Sequence, residues 1–132
     1  MRFLPVPGLP EFAGTIGLSF LEVEEHYVKV SISDDWLAFT RLTFAPYQCL
    51  RLTTEDCFLW PTELECHRTV VELADSPWIQ QLRASLHTND PYADFMDKAH
   101  HFLIPSRHSI VEVVAWELTW ETVPGGATPK GR

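Results

Sequence analysis

The sequence predicts an α+β domain in which a single curled antiparallel β-sheet of about six or seven strands is covered by one main helix. Apolar residues alternate with polar ones through most of the chain, which is typical of half-buried strands. One segment after residue 75 instead has helical spacing. The connections between the first strands are too short for a parallel crossover, so we expect an antiparallel meander in the order β-β-β-β-β-α-β-β.

The first four predicted strands follow from this alternation. Residues 16–20 and 28–32 form the first two, and residues 36–44 form a third that is rich in aromatic residues and Thr. Pro46 closes the third strand because proline cannot donate to a β-ladder. Residues 47–53 then form the fourth strand by the same criteria.

A fifth strand, at 68–73, precedes the clearest helix, predicted over about 77–87. Asp75 or Ser76 can accept a backbone N–H as the N-cap, and Pro77 suits the first helical position, where its missing donor is harmless. We expect the apolar stripe of this helix to lie on the sheet; it consists of Trp78, Ile79, Leu82 and Leu86.

The last two strands, 100–104 and 110–120, form the strongest hairpin signal in the chain. A two-residue turn pairs His101 with Glu112, whereas a three-residue loop pairs His101 with Val113. The sequence leaves both registers open. The second strand has apolar residues on both faces, which predicts a central position or cover on both sides.

The length of 132 residues indicates one domain, 1–132, with an ordered core at about 12–123. Residues 1–14 hold three prolines and are expected to form an extended strap across the domain. Residues 124–132 are expected to be a flexible tail.

Charge and composition exclude several classes of partner. The chain has 18 acidic and 10 basic residues and a net charge of −8, which argues against nucleic acid and anionic membranes as partners. Its N-terminus lacks the apolar run of a secretory signal, and no apolar stretch reaches membrane-spanning length. Three cysteines, an odd number, favour reduced thiols. The expected location is the cytoplasm.

The histidines supply the candidate chemistry. Neighbouring strand residues point to opposite faces, so only one of His100 and His101 can line a given site. His101 beside Glu112 is a candidate general acid–base pair, with His108 as a third candidate catalytic residue. The alternative interpretation is a structural cross-strand polar pair.

No metal or cofactor is predicted. Cys57, Cys66 and His67 lack the close ligand spacing of a local zinc site. The sequence contains no glycine-rich nucleotide motif and no hydrolase or metalloprotease signature.

A protein-binding surface is predicted on two grounds. Glu22, Glu24 and Glu25 form an acidic run that could meet a basic protein partner, although such runs are also common on solvated turns. Trp120 would mark an interface if it is exposed, and a homodimer is a further alternative.

The stretch from Val70 to Trp120 resembles small uncharacterised bacterial α+β proteins, some of which are similar to the immunity proteins that accompany secreted toxins. The resemblance rests on Val70–Trp78, which leads into the helix, and on His100–Ile104, which leads into the last strand. It implies a bacterial cytosolic protein and carries over no catalytic residue. Immunity proteins that inhibit nucleases present acidic surfaces, which agrees with the charge of this chain.

We therefore expect a non-enzymatic binding or interaction domain, with immunity-type inhibition as one specific version. The alternative is a small enzyme or small-molecule-binding protein whose pocket lies between sheet and helix, near His101 and Glu112. A deep pocket on which two of the three candidate catalytic side chains converge would favour this alternative.

Overall fold

The structure, a computed structural model, describes the chain in five stretches: residues 2–9, 17–33, 38–59, 69–106 and 108–124. Its strands are β1 (Arg2–Pro5), β2 (Gly17–Val23), β3 (Val28–Ser33), β4 (Ala38–Thr54), β5 (Val71–Ala74), β6 (His100–Pro105) and β7 (Ser109–Pro124). Its helix is α1 (Pro77–Asn89), and short 3-10 turns span Glu55–Cys57 and Phe95–Lys98. The predicted start of the first strand at Ile16 and the predicted tail from residue 125 onward lie outside the described residues.

These strands form one seven-stranded sheet in the order β1-β5-β6-β7-β4-β3-β2, and every neighbouring pair is antiparallel. One antiparallel sheet with one α-helix confirms the predicted α+β class. Strand β7 lies between β6 and β4, so the long last strand is central, as its two apolar faces indicate. No helix among the described residues is long and apolar enough to cross a lipid bilayer.

The third and fourth predicted strands are in fact one strand, β4, with Pro46 inside it. Pro46 lies beyond the end of β3, whose first residue Val28 pairs with Phe44. At this point β4 has a strand neighbour on one side only, and such edge positions tolerate proline. The ladder to β7 also shifts register between Tyr47 and Cys49, so the irregularity that proline introduces is absorbed without ending the strand.

The N-terminal segment, predicted as a strap only, contributes the edge strand β1, which pairs with β5. The five strands before the helix are therefore not the five predicted. After β1 the chain turns at Gly8, and Val6 and Leu9 pack against the main core cluster. Gly8 has φ +88°, and a Cβ there would come within 3.1 Å of the Trp120 ring, so glycine is required by both backbone conformation and space.

The two faces of the sheet carry separate apolar clusters. The larger joins β3, β4, β6, β7 and Val70, and Leu18 and Leu21 of β2 pack on it. Residues of β2, at one end of the strand order, and Val70, next to β5 near the other end, thus share one core. A curled sheet produces this packing. The opposite face, which we call the helix face because α1 lies on it, carries the smaller cluster of Phe3, Val71, Leu73, Leu103 and Ile110.

The helix begins as predicted and ends two residues later. Ser76 is the N-cap, and its Oγ accepts a hydrogen bond from the backbone N–H of Ile79 at 3.2 Å. No residue of α1 is fully buried; the predicted apolar stripe is half-buried, whereas Gln80 and Ser85 are exposed. Trp78, in the first turn, provides the ring contact between helix and sheet, against His101.

The register of the last hairpin differs from both predicted registers. His101 pairs with Val114, and Glu112 pairs with Leu103. Ser106 N–H donates to the carbonyl of Ser109 at 3.0 Å, so the tight turn is centred one residue later than the two-residue prediction placed it. Relative to that prediction the pairing is shifted by two residues, which keeps every side chain on its face.

Candidate functional site

A pocket of about 290 Å³ lies between the helix face of the sheet and the first turns of α1. Its walls come from strands on both sides of β7, from the helix and from the segment after β4. They consist of Phe3, Arg51, Phe58, Leu59, Leu73, Pro77, Trp78, Gln81, His101, Leu103 and Glu112. Most of these side chains are apolar, and a few polar groups lie at one place, which is the usual composition of a small-molecule site.

The polar wall is built across three adjacent strands. Arg51 of β4 and Glu112 of β7 are directly opposed in the ladder, so their side chains leave the same face. His101 of β6 is diagonal to Glu112, because Glu112 itself pairs with Leu103. The row Arg51, Glu112, His101 therefore runs across the sheet and ends below the N-terminus of α1.

Hydrogen bonds connect this row without a break. His101 Nε2 lies 2.9 Å from Glu112 Oε1, and Arg51 donates to Glu112 through Nε at 2.9 Å and Nη2 at 3.0 Å. On the other side, Ser76 Oγ lies 2.7 Å from His101 Nδ1. We call these four residues the polar network.

The donors and acceptors of the polar network assign its protons. Ser76 Oγ already accepts from the backbone of Ile79, so its hydroxyl hydrogen is free to donate to His101 Nδ1. His101 Nε2–H then donates to the carboxylate of Glu112. This assignment gives every polar atom of Ser76 and His101 a partner.

Most of the polar network is buried, and buried polar groups need hydrogen-bond partners. Ser76, His101 and Glu112 are each at most 3% exposed, whereas half of the Arg51 side chain is exposed. Burial alone raises the pKa of Glu112, but hydrogen bonds from His101 and from Arg51 outweigh it and lower the pKa below its ordinary value. The hydrogen bond to Glu112 raises the pKa of Arg51. Within the network, the guanidinium of Arg51 is the counter-charge of the Glu112 carboxylate.

Trp78 holds the two basic side chains in place. The guanidinium carbon of Arg51 lies 4.2 Å from the Trp78 ring centre, a cation–π distance. The Trp78 and His101 rings meet in a T-shaped arrangement, with ring centres 5.1 Å apart and an interplanar angle of 75°. The first turn of α1 therefore fixes the orientation of the polar wall.

The two candidate acid–base groups of this wall already form hydrogen bonds within the protein. Both ring nitrogens of His101 and both oxygens of Glu112 are hydrogen-bonded within the protein, so a ligand would have to displace one of these bonds to reach a ring nitrogen of His101. Ser76, His101 and Glu112 have the atom types of a hydrolase triad, but Ser76 is buried and does not line the pocket. By contrast, Nη1 of Arg51 is not engaged by any residue that the structure describes.

The other predicted catalytic residue, His108, is not brought to the pocket. It lies in the last hairpin turn, with Nδ1 3.9 Å from Glu55 Oε1 and an exposed side chain. His100 points to the opposite side of β6 from His101, as predicted, and its Nδ1 lies 2.6 Å from Glu72 Oε2. Of the three candidate catalytic residues, only His101 and Glu112 meet.

The predicted protein-binding residues lie away from the pocket. Glu24 and Glu25 are exposed in the turn between β2 and β3. Glu22 is half-buried, and its carboxylate accepts a hydrogen bond from Tyr27 at 3.3 Å. Trp120 is 36% exposed, so it is partly available as an interface residue and partly packed.

Sequence reasoning missed Arg51, Ser76 and Trp78 as members of one site. The alternation in β4 places Arg51 on the face opposite Leu50, but only its pairing with β7 shows that this face meets Glu112. Ser76 and Trp78 are visible in the sequence as a helix cap and a stripe residue. Their second contacts, to His101 and Arg51, depend on how the helix packs on the sheet.

The zinc-site hypothesis cannot be placed in full. Cys66 and His67, weighed as zinc ligands with Cys57, lie outside the described residues. In the described stretches no group of three or more His, Cys, Asp or Glu side chains could hold a metal ion. Cys49 and Cys57 are free thiols there.

Comparison of the chain with protein-family models, with curated proteins and with solved structures finds no match. The resemblance to immunity-like bacterial proteins therefore stays a prediction.

Proposed function

We propose that this chain is a non-enzymatic binding domain that holds a small, mainly apolar molecule in the pocket between α1 and the sheet. The observation that carries the proposal is the closed polar network: His101 and Glu112 line the pocket, yet all of their polar atoms are engaged within the protein. Such a wall can orient a ligand but offers no acid, base or nucleophile to transform it.

The size and composition of the pocket support the binding of a small, mainly apolar molecule. Its volume of about 290 Å³ corresponds to the liquid volume of about ten water molecules, taking roughly 30 Å³ for each. Seven of the eleven wall residues are apolar, namely Phe3, Phe58, Leu59, Leu73, Pro77, Trp78 and Leu103. A compact molecule with an apolar body matches this surface.

A fragment screen by NMR tests the proposal. The ¹⁵N-labelled full chain is titrated with a set of small aliphatic, aromatic, anionic and cationic fragments. We expect saturable shift changes at the Trp78 indole N–H and at the amides of the pocket walls.

The matched control uses two neighbouring glutamines of α1. Gln81 lines the pocket, whereas Gln80 does not, and both are exposed. Gln81→Trp should place a bulky ring at the pocket and abolish fragment binding, while Gln80→Trp should leave it unchanged. A screen in which no fragment shifts the pocket signals would refute the proposal.

Recognition of a basic protein partner is the second candidate, supported by the exposure of Glu24 and Glu25 in the same turn. It includes the immunity-type version and a cytoplasmic location, for which the acid excess and the odd number of cysteines are the support. Replacing Glu22, Glu24 and Glu25 together by Gln should weaken capture of such a partner and reduce its salt dependence. If the triple variant captured the partner as strongly as the natural protein does, this candidate would be contradicted.

A further inference from the structure

We infer that the pocket selects an uncharged aromatic molecule that carries a hydrogen-bond acceptor, and that it discriminates against the corresponding anion. This inference rests on the proposed function, because it names the ligand class of the same pocket. It follows from the rings in the walls, the unengaged Nη1 donor of Arg51 and the pairing of Arg51 with Glu112.

The walls favour an aromatic body. Phe3, Phe58 and Trp78 contribute three aromatic side chains to a pocket of about 290 Å³. Aromatic rings gain from offset or edge-to-face contacts with one another beyond the gain from burying their area. A ligand with a single six-membered ring fits the available volume and can meet more than one of these side chains.

The polar end of the ligand should accept a hydrogen bond. Arg51 lines the pocket, its Nε and Nη2 are used by Glu112, and its Nη1 is unengaged by the residues described. The guanidinium is held by Glu112 on its edge and by Trp78 on its face, so this donor is already oriented before a ligand arrives. A carbonyl oxygen is the simplest group to accept from it.

The charge balance disfavours an ion. Arg51 is the only cationic side chain among the described residues that line the pocket, and Glu112 already neutralises it. An anion would enter mainly apolar walls without a counter-charge of its own, in a chain whose net charge is −8. A cation would find both oxygens of Glu112 occupied.

Three probe molecules of nearly equal size test the preference for an aromatic ring and the preference for an uncharged ligand separately. We expect benzamide to bind about tenfold or more tightly than benzoate, because the carboxylate must be desolvated without a free cation. Benzamide should also bind about threefold or more tightly than cyclohexanecarboxamide, which has the same acceptor but no aromatic ring. Dissociation constants come from NMR titration of the pocket signals in the full chain.

A charge introduced at the pocket provides an internal check. Gln81→Lys places a free cation beside Arg51, whereas Gln80→Lys adds the same charge to the same helix outside the pocket walls. We expect benzoate to bind severalfold more tightly to the Gln81→Lys protein than to the Gln80→Lys protein, with benzamide affected much less.

The outcomes distinguish the ligand class from the binding function. If benzoate or cyclohexanecarboxamide binds the natural protein as tightly as benzamide, the ligand class is wrong. It is equally wrong if other fragments occupy the pocket and benzamide does not, although the binding function then stands. If no fragment of any class reaches the pocket, both proposals fail.

Discussion

At the scale of single residues, Glu112 determines the character of the site. It is 3% exposed and accepts three hydrogen bonds from two basic side chains on neighbouring strands. A buried carboxylate is tolerated only when it is paired in this way. The same pairing lowers the pKa of Glu112 and so favours its ionised form.

Replacing Glu112 by Gln should therefore reduce the stability of the fold. We expect a loss of about 1–2 kcal/mol in the free energy of unfolding, because charge-assisted bonds become neutral ones while Arg51, half exposed, can be hydrated instead. Urea denaturation measures this loss. Glu121→Gln is the matched control: Glu121 pairs with Arg41 at 3.4 Å on the surface, and its replacement should change stability by less than about 0.5 kcal/mol.

The pH dependence of stability follows from the same residue. The folded-state pKa of Glu112 lies below its ordinary value of 4.5, so the unfolded chain takes up a proton first as the pH falls. The stabilisation by Glu112 is therefore complete above about pH 5 and is lost as the pH falls through the folded pKa. Stability measured between pH 6 and pH 3 should fall less steeply for Glu112→Gln than for the natural protein; equal slopes would contradict the assigned pKa direction.

At the scale of elements, the contact of α1 with the sheet depends on its first turn. Ser76 both caps the helix through Ile79 and bonds His101, while the rest of the apolar stripe is only half-buried. We expect Ser76→Ala to cost about 1–2 kcal/mol, since it removes a cap and leaves a buried ring nitrogen without a partner.

The control for Ser76→Ala is Ser85→Ala on the exposed part of the same helix. Ser85→Ala should be neutral or slightly stabilising, because Ala is the better helix former. Hydrogen exchange of α1 amides provides a second measurement, in which Ser76→Ala should speed exchange in the first turns. Equal stability of the two variants would mean that the polar network does not anchor the helix.

The elements also show what the sequence can predict. The cap at Ser76 and the strands of the last hairpin depend on neighbouring residues, and local patterns indicate them correctly. The pairing of β4 with β7 joins Arg51 to Glu112 across 61 positions of the chain, and no local pattern contains it. The His101–Glu112 contact was predictable despite the wrong register, because a shift of two residues preserves the face of each strand.

At the scale of the whole molecule, the N-terminal segment connects one edge of the sheet to its central strand. Strand β1 lies at one edge, and the turn that follows brings Gly8 against Trp120 of β7. The fold class was predictable from alternation and helix spacing alone. The extra edge strand was not, because three prolines in the first fourteen residues obscure a pairing that only β5 makes possible.

Gly8→Ala tests this connection. Gly8 has φ +88°, and an added Cβ would lie 3.1 Å from the Trp120 ring, so both strain and crowding oppose the methyl group. We expect a loss of about 1–2 kcal/mol in unfolding free energy, measured by urea denaturation. The exposed neighbour Pro7 is the control, since Pro7→Ala should change stability by less than half as much.

The most direct test that the pocket binds the inferred class of ligand is titration of the ¹⁵N-labelled protein with benzamide. The structure predicts saturable shift changes centred on the Trp78 indole and the pocket walls, abolished by Gln81→Trp and preserved in Gln80→Trp. Shifts that do not saturate, or that persist unchanged in the Gln81→Trp protein, would contradict binding of this ligand in the pocket between α1 and the sheet.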